Sequence, residues 1–158
     1  HGGIPPLTTI AYRDGVMAAD GRVTVGQLIV TDTCRKITKL SDGALFALCG
    51  DDSLEVELIE YLEEADGGIL PPQGKGKDFT AILVDTSGVL STYEGSGDRF
   101  VPWGTAYAAF GSGAEIAYGA MEMGATASQA VSAGIARNTH SGGLIQVETI
   151  GNPQDQND

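Results

Sequence analysis

The sequence predicts an α+β fold, a four-layer αββα sandwich in which two sheets lie face to face with helices outside. Three observations carry that prediction. Short β-rich segments separated by turn signals crowd residues 8–50. The apolar period then switches to helical spacing at Leu54, Leu58, Ile59 and Leu62. Beyond that helix, strands and helices come in separate runs rather than alternating, which argues against a parallel α/β sheet.

The elements follow in order. Thr8–Tyr12 is β-rich, and Asp14-Gly15 is a hairpin signal leading into Val16–Ala19. Asp20-Gly21 marks a second turn, Leu28–Val30 and Cys34–Leu40 read as strands, and Asp42-Gly43 joins the latter to Ala44–Cys49. The helix around Leu58, with Asp52 or Ser53 as its cap, stops near Ala65, before Asp66-Gly67-Gly68 and a Gly/Pro loop. Strands resume at Phe79–Val84 and Val89–Tyr93, and Ala106–Phe110 runs into Gly111-Ser112-Gly113. One helix is expected from Ala114 to Met123. A second starts at Thr126, whose capping-box partner is Gln129. A last strand, Leu144–Ile150, closes a single domain spanning 8–150. Residues 1–7 are expected to be a leader or an artificial extension, since the chain opens with His1 and Pro5-Pro6 fixes an extended stretch; residues 151–158 read as a polar tail.

Composition narrows the function. Only nine Lys and Arg face twenty-one Asp and Glu, a net charge of −12, so a nucleic-acid partner is excluded for want of basic clusters. The acid excess includes Glu55, Glu57, Glu60, Glu63 and Glu64, which give one solvated helical face. No apolar run approaches the roughly 18 residues of a spanning helix, so no membrane partner is expected. Cys34 and Cys49 are expected to be buried free thiols in a reducing cytoplasm. With His1 and His140 the only histidines, neither a His-rich metal site nor any cofactor is anticipated.

The chain carries no serine-hydrolase elbow, phosphate-binding loop or zinc pattern. What remains is a dispersed set: Thr8, Asp20, Lys36, Gly50, Ser112, Asn138 and Ser141. Each has a plain structural reading. Thr8 and Thr9 suit a strand, Asp20 a turn, and Lys36 a solvated strand edge. Gly50 suits a strand end. Ser112, with Glu115 three residues on, suits a helix cap, and Ser141 a loop.

Their joint order resembles a known family. TTIAYRDGVMAADGRVTVG, CRKITKL, ALCGDD, AFGSGAEIAYGAME and NTHSGG match in sequence the landmarks of proteasome β subunits. They are also similar to the peptidase ring of the bacterial two-component ATP-dependent protease, and to short proteasome-like proteins of phages and bacteria that begin Met-Thr-Thr. The resemblance runs from about Thr8 to Ile150 and implies an N-terminal-nucleophile hydrolase fold with its central helical hairpin shortened. It implies a threonine-type endopeptidase in which Thr8 is the nucleophile and its own α-amine the base. By the same resemblance Lys36 is expected to lower the amine's pKa, Asp20 to orient Lys36, and the Gly50 N–H to stabilise the oxyanion. Ser112 and Ser141 match serines that hydrogen-bond around the amine. The resemblance further implies a homo-oligomer, with the family's ring as its candidate form, acting on peptides or unfolded protein, and an ATPase unfoldase as a candidate partner.

Two departures bear on activity. Asn138 stands where the family usually has aspartate, which keeps the hydrogen-bonding shape without the charge. One short helix stands where two long ones separate the strands near Gly50 and Phe79. In addition, while Leu7 is bonded to Thr8 the base is an amide nitrogen, so the chain is expected to be inactive with residues 1–7 attached. The alternative reading is a catalytically silent structural or assembly subunit; a small-molecule amidohydrolase is a third.

Overall fold

The computed structural model describes residues 8–64 and 71–151. The expected leader, the glycines at 67–68 and most of the expected tail lie outside the described residues.

The chain first forms β1 (Thr9–Arg13) and β2 (Val16–Ala19), joined at Asp14-Gly15. Both turn residues adopt positive φ, 53° and 81°, as a two-residue hairpin matching the strand twist requires. Next come β3 (Val23–Val25) and β4 (Leu28–Thr31), then β5 (Ile37–Lys39), β6 (Leu45–Gly50) and helix α1 (Glu55–Glu64). The second half runs β7 (Phe79–Val84), β8 (Leu90–Glu94), β9 (Val101–Pro102), β10 (Tyr107–Gly111), α2 (Ala114–Glu122), α3 (Ala127–Arg137) and β11 (Gln146–Thr149). They build a four-stranded sheet ordered β10-β1-β2-β11, a five-stranded sheet ordered β5-β6-β7-β8-β9, and a separate β3-β4 ribbon.

The layers follow from the two-residue period of each strand. Ile10, Tyr12, Met17, Ala19, Ala108 and Phe110 of the first sheet face Ile37, Leu45, Ala47, Cys49, Ile82 and Val84 of the second. The intervening residues of the first sheet, Ala11, Ala18 and Ala109, are all alanine and let α2 and α3 approach through Ala117, Met121, Ala130 and Val131. On the outer face of the second sheet, Phe46, Phe79, Ala81 and Tyr93 pack beneath Leu58 of α1. Strands buried on both faces lose hydrophobic alternation, which is why β6 reads as the run LFALCG. The architecture is the αββα sandwich the sequence predicts.

Local expectations fare unevenly. The Thr126–Gln129 capping box forms in full. Ser112 does not cap α2: the N-cap is Gly113, with no side-chain bond. The strand expected over Cys34–Leu40 is only Ile37–Lys39, because the Cys34 N–H turns away to the Gly21 carbonyl at 2.9 Å. Both cysteines are free, but only Cys49 is fully buried.

Leu58 is the one fully buried residue of α1. Leu58→Ala is therefore expected to cost about 2–3 kcal/mol, the low part of the usual range because α1 is a single helix with a solvated back. Urea denaturation measures it; a loss below 0.5 kcal/mol would mean α1 adds nothing to the core, a threshold set from typical surface substitutions of about that size.

Candidate active site

The hairpin β1–β2 determines where the site forms. Ile10 pairs with Ala19, so Thr8 and Thr9 at the head of β1 meet Asp20 at the tail of β2. The Asp20 N–H extends the ladder to the Thr9 carbonyl at 3.1 Å. Thr9 and Asp20 have no solvent exposure and Thr8 has 6%.

Lys36 enters from the residue just before β5, in the facing sheet. Its Nζ donates to Thr8 Oγ1 at 2.9 Å and to Asp20 Oδ1 at 2.8 Å. The Thr8 hydroxyl donates to the same Oδ1 at 2.8 Å. Three polar atoms thus form a nearly equilateral triangle between the sheets. A lysine side chain only 11% exposed needs a partner charge, and Asp20 supplies it.

Asp20 is itself held by main chain. Oδ1 accepts from the Thr9 N–H at 3.0 Å; Oδ2 accepts from the N–H groups of Gly142 at 3.0 Å and Arg22 at 3.3 Å. A carboxylate tied at both oxygens cannot rotate, so Oδ1 has a fixed position against Thr8 and Lys36.

Gly50 ends β6 with φ 92°, and a Cβ there would collide with the Asp78 carbonyl. The direction of its N–H follows from the ladder. Asp51 donates to the Asp78 carbonyl and Leu40 to the Ala44 carbonyl, so odd residues of β6 bond to β7 and even ones face β5. The Gly50 N–H therefore points toward the β5 side, past the start of β5, on the side from which Lys36 enters. Gly50 also lines a small cleft of about 80 Å³ with Cys49, Asp78, Phe79, Thr80, Phe110 and Gly111. The cleft abuts Thr8, since Gly111 lies directly against the Thr8 carbonyl. The Cys49 thiol is pushed up to about 12 by burial; the Lys36 charge opposes the shift and Asp20 adds to it. It is consequently no competing nucleophile.

The remaining positions sit at different removes. Ser112 Oγ donates to the Thr8 carbonyl at 3.3 Å. Ser141, buried, shares a 2.7 Å hydrogen bond with Thr9 Oγ1 rather than with Thr8. Asn138 is the C-cap of α3, and its Oδ1 accepts the His140 N–H at 2.9 Å, a local turn facing its own loop. Thr9, Gly111 and Gly142 hold the site together without having stood out in the sequence. The doublet Gly142-Gly143 was a signal for the last of these, because two adjacent glycines mark a close main-chain approach. Among the described residues no three His, Cys, Asp or Glu side chains gather to hold a metal ion. Nor is any described helix long and apolar enough to cross a membrane.

Comparison with known proteins agrees with this architecture. Residues 7–65 match the family model of the proteasome subunit. No curated protein matches the sequence. Among solved structures, the eukaryotic HslV of Trypanosoma brucei superposes with a TM-score of 0.67 at 15% identity, covering 92% of this chain and 99% of that one. The BPH protein of Thiobacillus denitrificans gives a TM-score of 0.64 at 17% identity, over 92% and 98% of the two chains. Its complex with epoxomicin gives 0.64 at 16%, over 91% and 97%. At such identities the likeness is one of fold, and it extends over nearly the whole chain. Together with the match of residues 7–65 to the proteasome subunit model, it gives this chain the fold that proteasome subunits and HslV share, the N-terminal-nucleophile hydrolase fold.

Proposed function

We propose that the chain is a threonine peptidase whose nucleophile is Thr8 Oγ1, active once the Leu7–Thr8 bond is cut. The observation that carries this reading is the triangle of Thr8 Oγ1, Lys36 Nζ and Asp20 Oδ1. Nζ donates into a lone pair of the hydroxyl oxygen, which favours negative charge developing there as the oxygen attacks. A free α-amine, with an ordinary pKa of about 7.7–8.0, takes the hydroxyl proton and later returns it to the leaving amine. The Thr8 oxygen forms the acyl bond as the peptide C–N bond breaks; water then releases the acyl group. The Gly50 N–H, directed to the β5 side, stabilises the oxyanion. Ser112 steadies the Thr8 carbonyl, and Ser141 steadies Thr9. While Leu7 is attached the proton acceptor is missing, and the chain is inactive.

A homo-oligomer fits this reading. The β3-β4 ribbon stands apart from both sheets with Val25 67% and Leu28 66% exposed, and Ile29 and Val30 beside them. An apolar two-stranded ribbon of this kind is covered more readily by a second copy than left in water. Peptides or unfolded segments are the substrate class, with or without an unfoldase to deliver them.

The test is hydrolysis of a fluorogenic, N-acylated tetrapeptide amide by protein cleaved after Leu7. The free-Thr8 form is expected to turn over and to be silenced by epoxomicin, while Thr8→Ala loses at least about 10³-fold, the scale of removing a nucleophile. An inactive free-Thr8 form would leave the silent structural subunit as the better reading. One observation favours that alternative: Asn138 Oδ1 is engaged with the His140 N–H, and among the described residues Asn138 makes no hydrogen bond to Thr8.

A further inference from the structure

Beside the Thr8 triangle, one ion pair stands where three distant segments cross. Arg22 Nε lies 2.8 Å from Asp32 Oδ1 and Nη2 3.3 Å from Oδ2, the two-pronged geometry of a guanidinium on a carboxylate. The guanidinium packs against Gly142, where any Cβ would collide with it. The Asp32 carbonyl accepts the Leu144 N–H at 2.9 Å and abuts Gly21 and Gly143. Gly21 in turn donates to the Gly142 carbonyl at 2.9 Å. The segment Gly142–Leu144 is thus gripped by main chain on one side and by the guanidinium on the other.

We propose that Arg22 and Asp32 are a positioning clamp for the nucleophile, holding Gly142 so that its N–H fixes Asp20 Oδ2 and leaves Oδ1 set against Thr8 and Lys36. The chain of contacts is continuous: Asp32 to Arg22, Arg22 to Gly142, Gly142 N–H to Asp20, Asp20 to Thr8 Oγ1. The main chain of Arg22 adds a second grip on Oδ2. The clamp is not catalytic, since neither side chain bonds to Thr8. The hydrogen bond from Arg22 holds the Asp32 carboxyl below the usual carboxylate range despite some desolvation. With side chains 22% and 42% exposed, the pair adds little to global stability. Its effect falls on alignment, where a displacement of an ångström can cost about 100-fold in rate.

The test uses the ¹⁵N-labelled full chain and amide exchange at Gly142 and Thr9, whose N–H groups both bond to Asp20, with Ala18 in β2 as the control. Arg22→Met and Asp32→Asn are expected to speed Gly142 exchange by about 10-fold or more and to leave Ala18 unchanged, the pattern of a local opening. Arg22→Lys keeps the charge but not the fork and should recover only part of the protection. Unchanged Gly142 exchange in both single variants, or equal acceleration at Ala18, overturns the proposal.

A second arm rests on the Thr8 reading. In protein cleaved after Leu7, Arg22→Met should lower kcat about 10-fold with KM within about twofold, since an alignment defect spares substrate binding. A rise in KM with kcat intact also overturns the clamp. If the cleaved wild-type protein is inactive, it is the Thr8 reading that fails, and amide exchange alone decides the clamp.

Discussion

Lys36→Met is expected to abolish hydrolysis by the free-Thr8 protein and to destabilise the fold by about 3 kcal/mol, the low end for stripping a buried charge of its partner. Asp20 has no solvent exposure, and among the described residues Lys36 Nζ is its only charged hydrogen-bond donor. The low end applies because four other donors stay on the carboxylate: the Thr8 hydroxyl and the N–H groups of Thr9, Arg22 and Gly142. The two losses separate in Lys36→Arg. Arginine keeps the charge and should restore most of the stability, but its planar fork cannot place one donor between Thr8 Oγ1 and Asp20 Oδ1. Urea denaturation and the peptide assay read the two effects independently. A Lys36→Met protein that still turned over peptide would remove Lys36 from the mechanism; one that lost activity with no loss of stability would mean that Asp20 does not depend on the pair.

The second large effect is expected where no functional group is touched. Gly111→Ala should cost about 2–5 kcal/mol, from a left-handed backbone of about 1–2 kcal/mol and an added methyl in a packed place of about 1–3 kcal/mol. Gly111 has φ 94°, and the new Cβ would strike the Thr8 carbonyl and lie 3.0 Å from Thr8 Cγ2. Gly111 is the β10 partner of Thr9, so relief of the clash has to move the head of β1. Thr8 would shift off Lys36 and Asp20, and kcat should fall at least as far as stability does. Gly124→Ala is the control: φ is 101° but nothing lies within 4 Å of the added methyl. It should show the backbone cost alone and normal turnover. Equal effects at the two glycines would mean that only backbone strain acts at Gly111.

Legibility in the sequence tracked how local the physics was. Asp14-Gly15 and Thr126–Gln129 announce themselves because turn and cap chemistry act within a few residues. The layering was readable because apolar runs such as LFALCG demand cover on two faces. The short strand Val23–Val25 was not, since its partner β4 leaves the apolar side chains in solvent and gives no buried period to detect. Lys36 was placed inside a strand because nothing near it shows that Cys34 would bond to Gly21. At the site, residue types were visible and their orientations were not. Asn138, an amide where the resemblance leads one to expect a carboxylate, faces its own turn. Ser112 looked like a cap, but Gly113 takes that place and frees its hydroxyl for Thr8. The grip of Gly142 on Asp20 runs from a main-chain N–H to a carboxylate far away in the chain, and the glycine, having no side chain, does not advertise it.

That bond also sets an order of events during synthesis. Thr8, Asp20 and Lys36 are synthesised well before their C-terminal partners, since Gly142 lies 122 residues beyond Asp20, and Ser141 lies 132 beyond Thr9. Contacts of such separation form late, because the intervening chain has to be ordered first. A nascent or truncated polypeptide ending before Ser141 carries the nucleophile without the Ser141 and Gly142 bonds to its neighbours. Ordering of the segment at Ser141-Gly142 is therefore the quality check on the site: a fragment without it has Thr8, Asp20 and Lys36 in its composition but lacks the bonds from Ser141 to Thr9 and from Gly142 to Asp20.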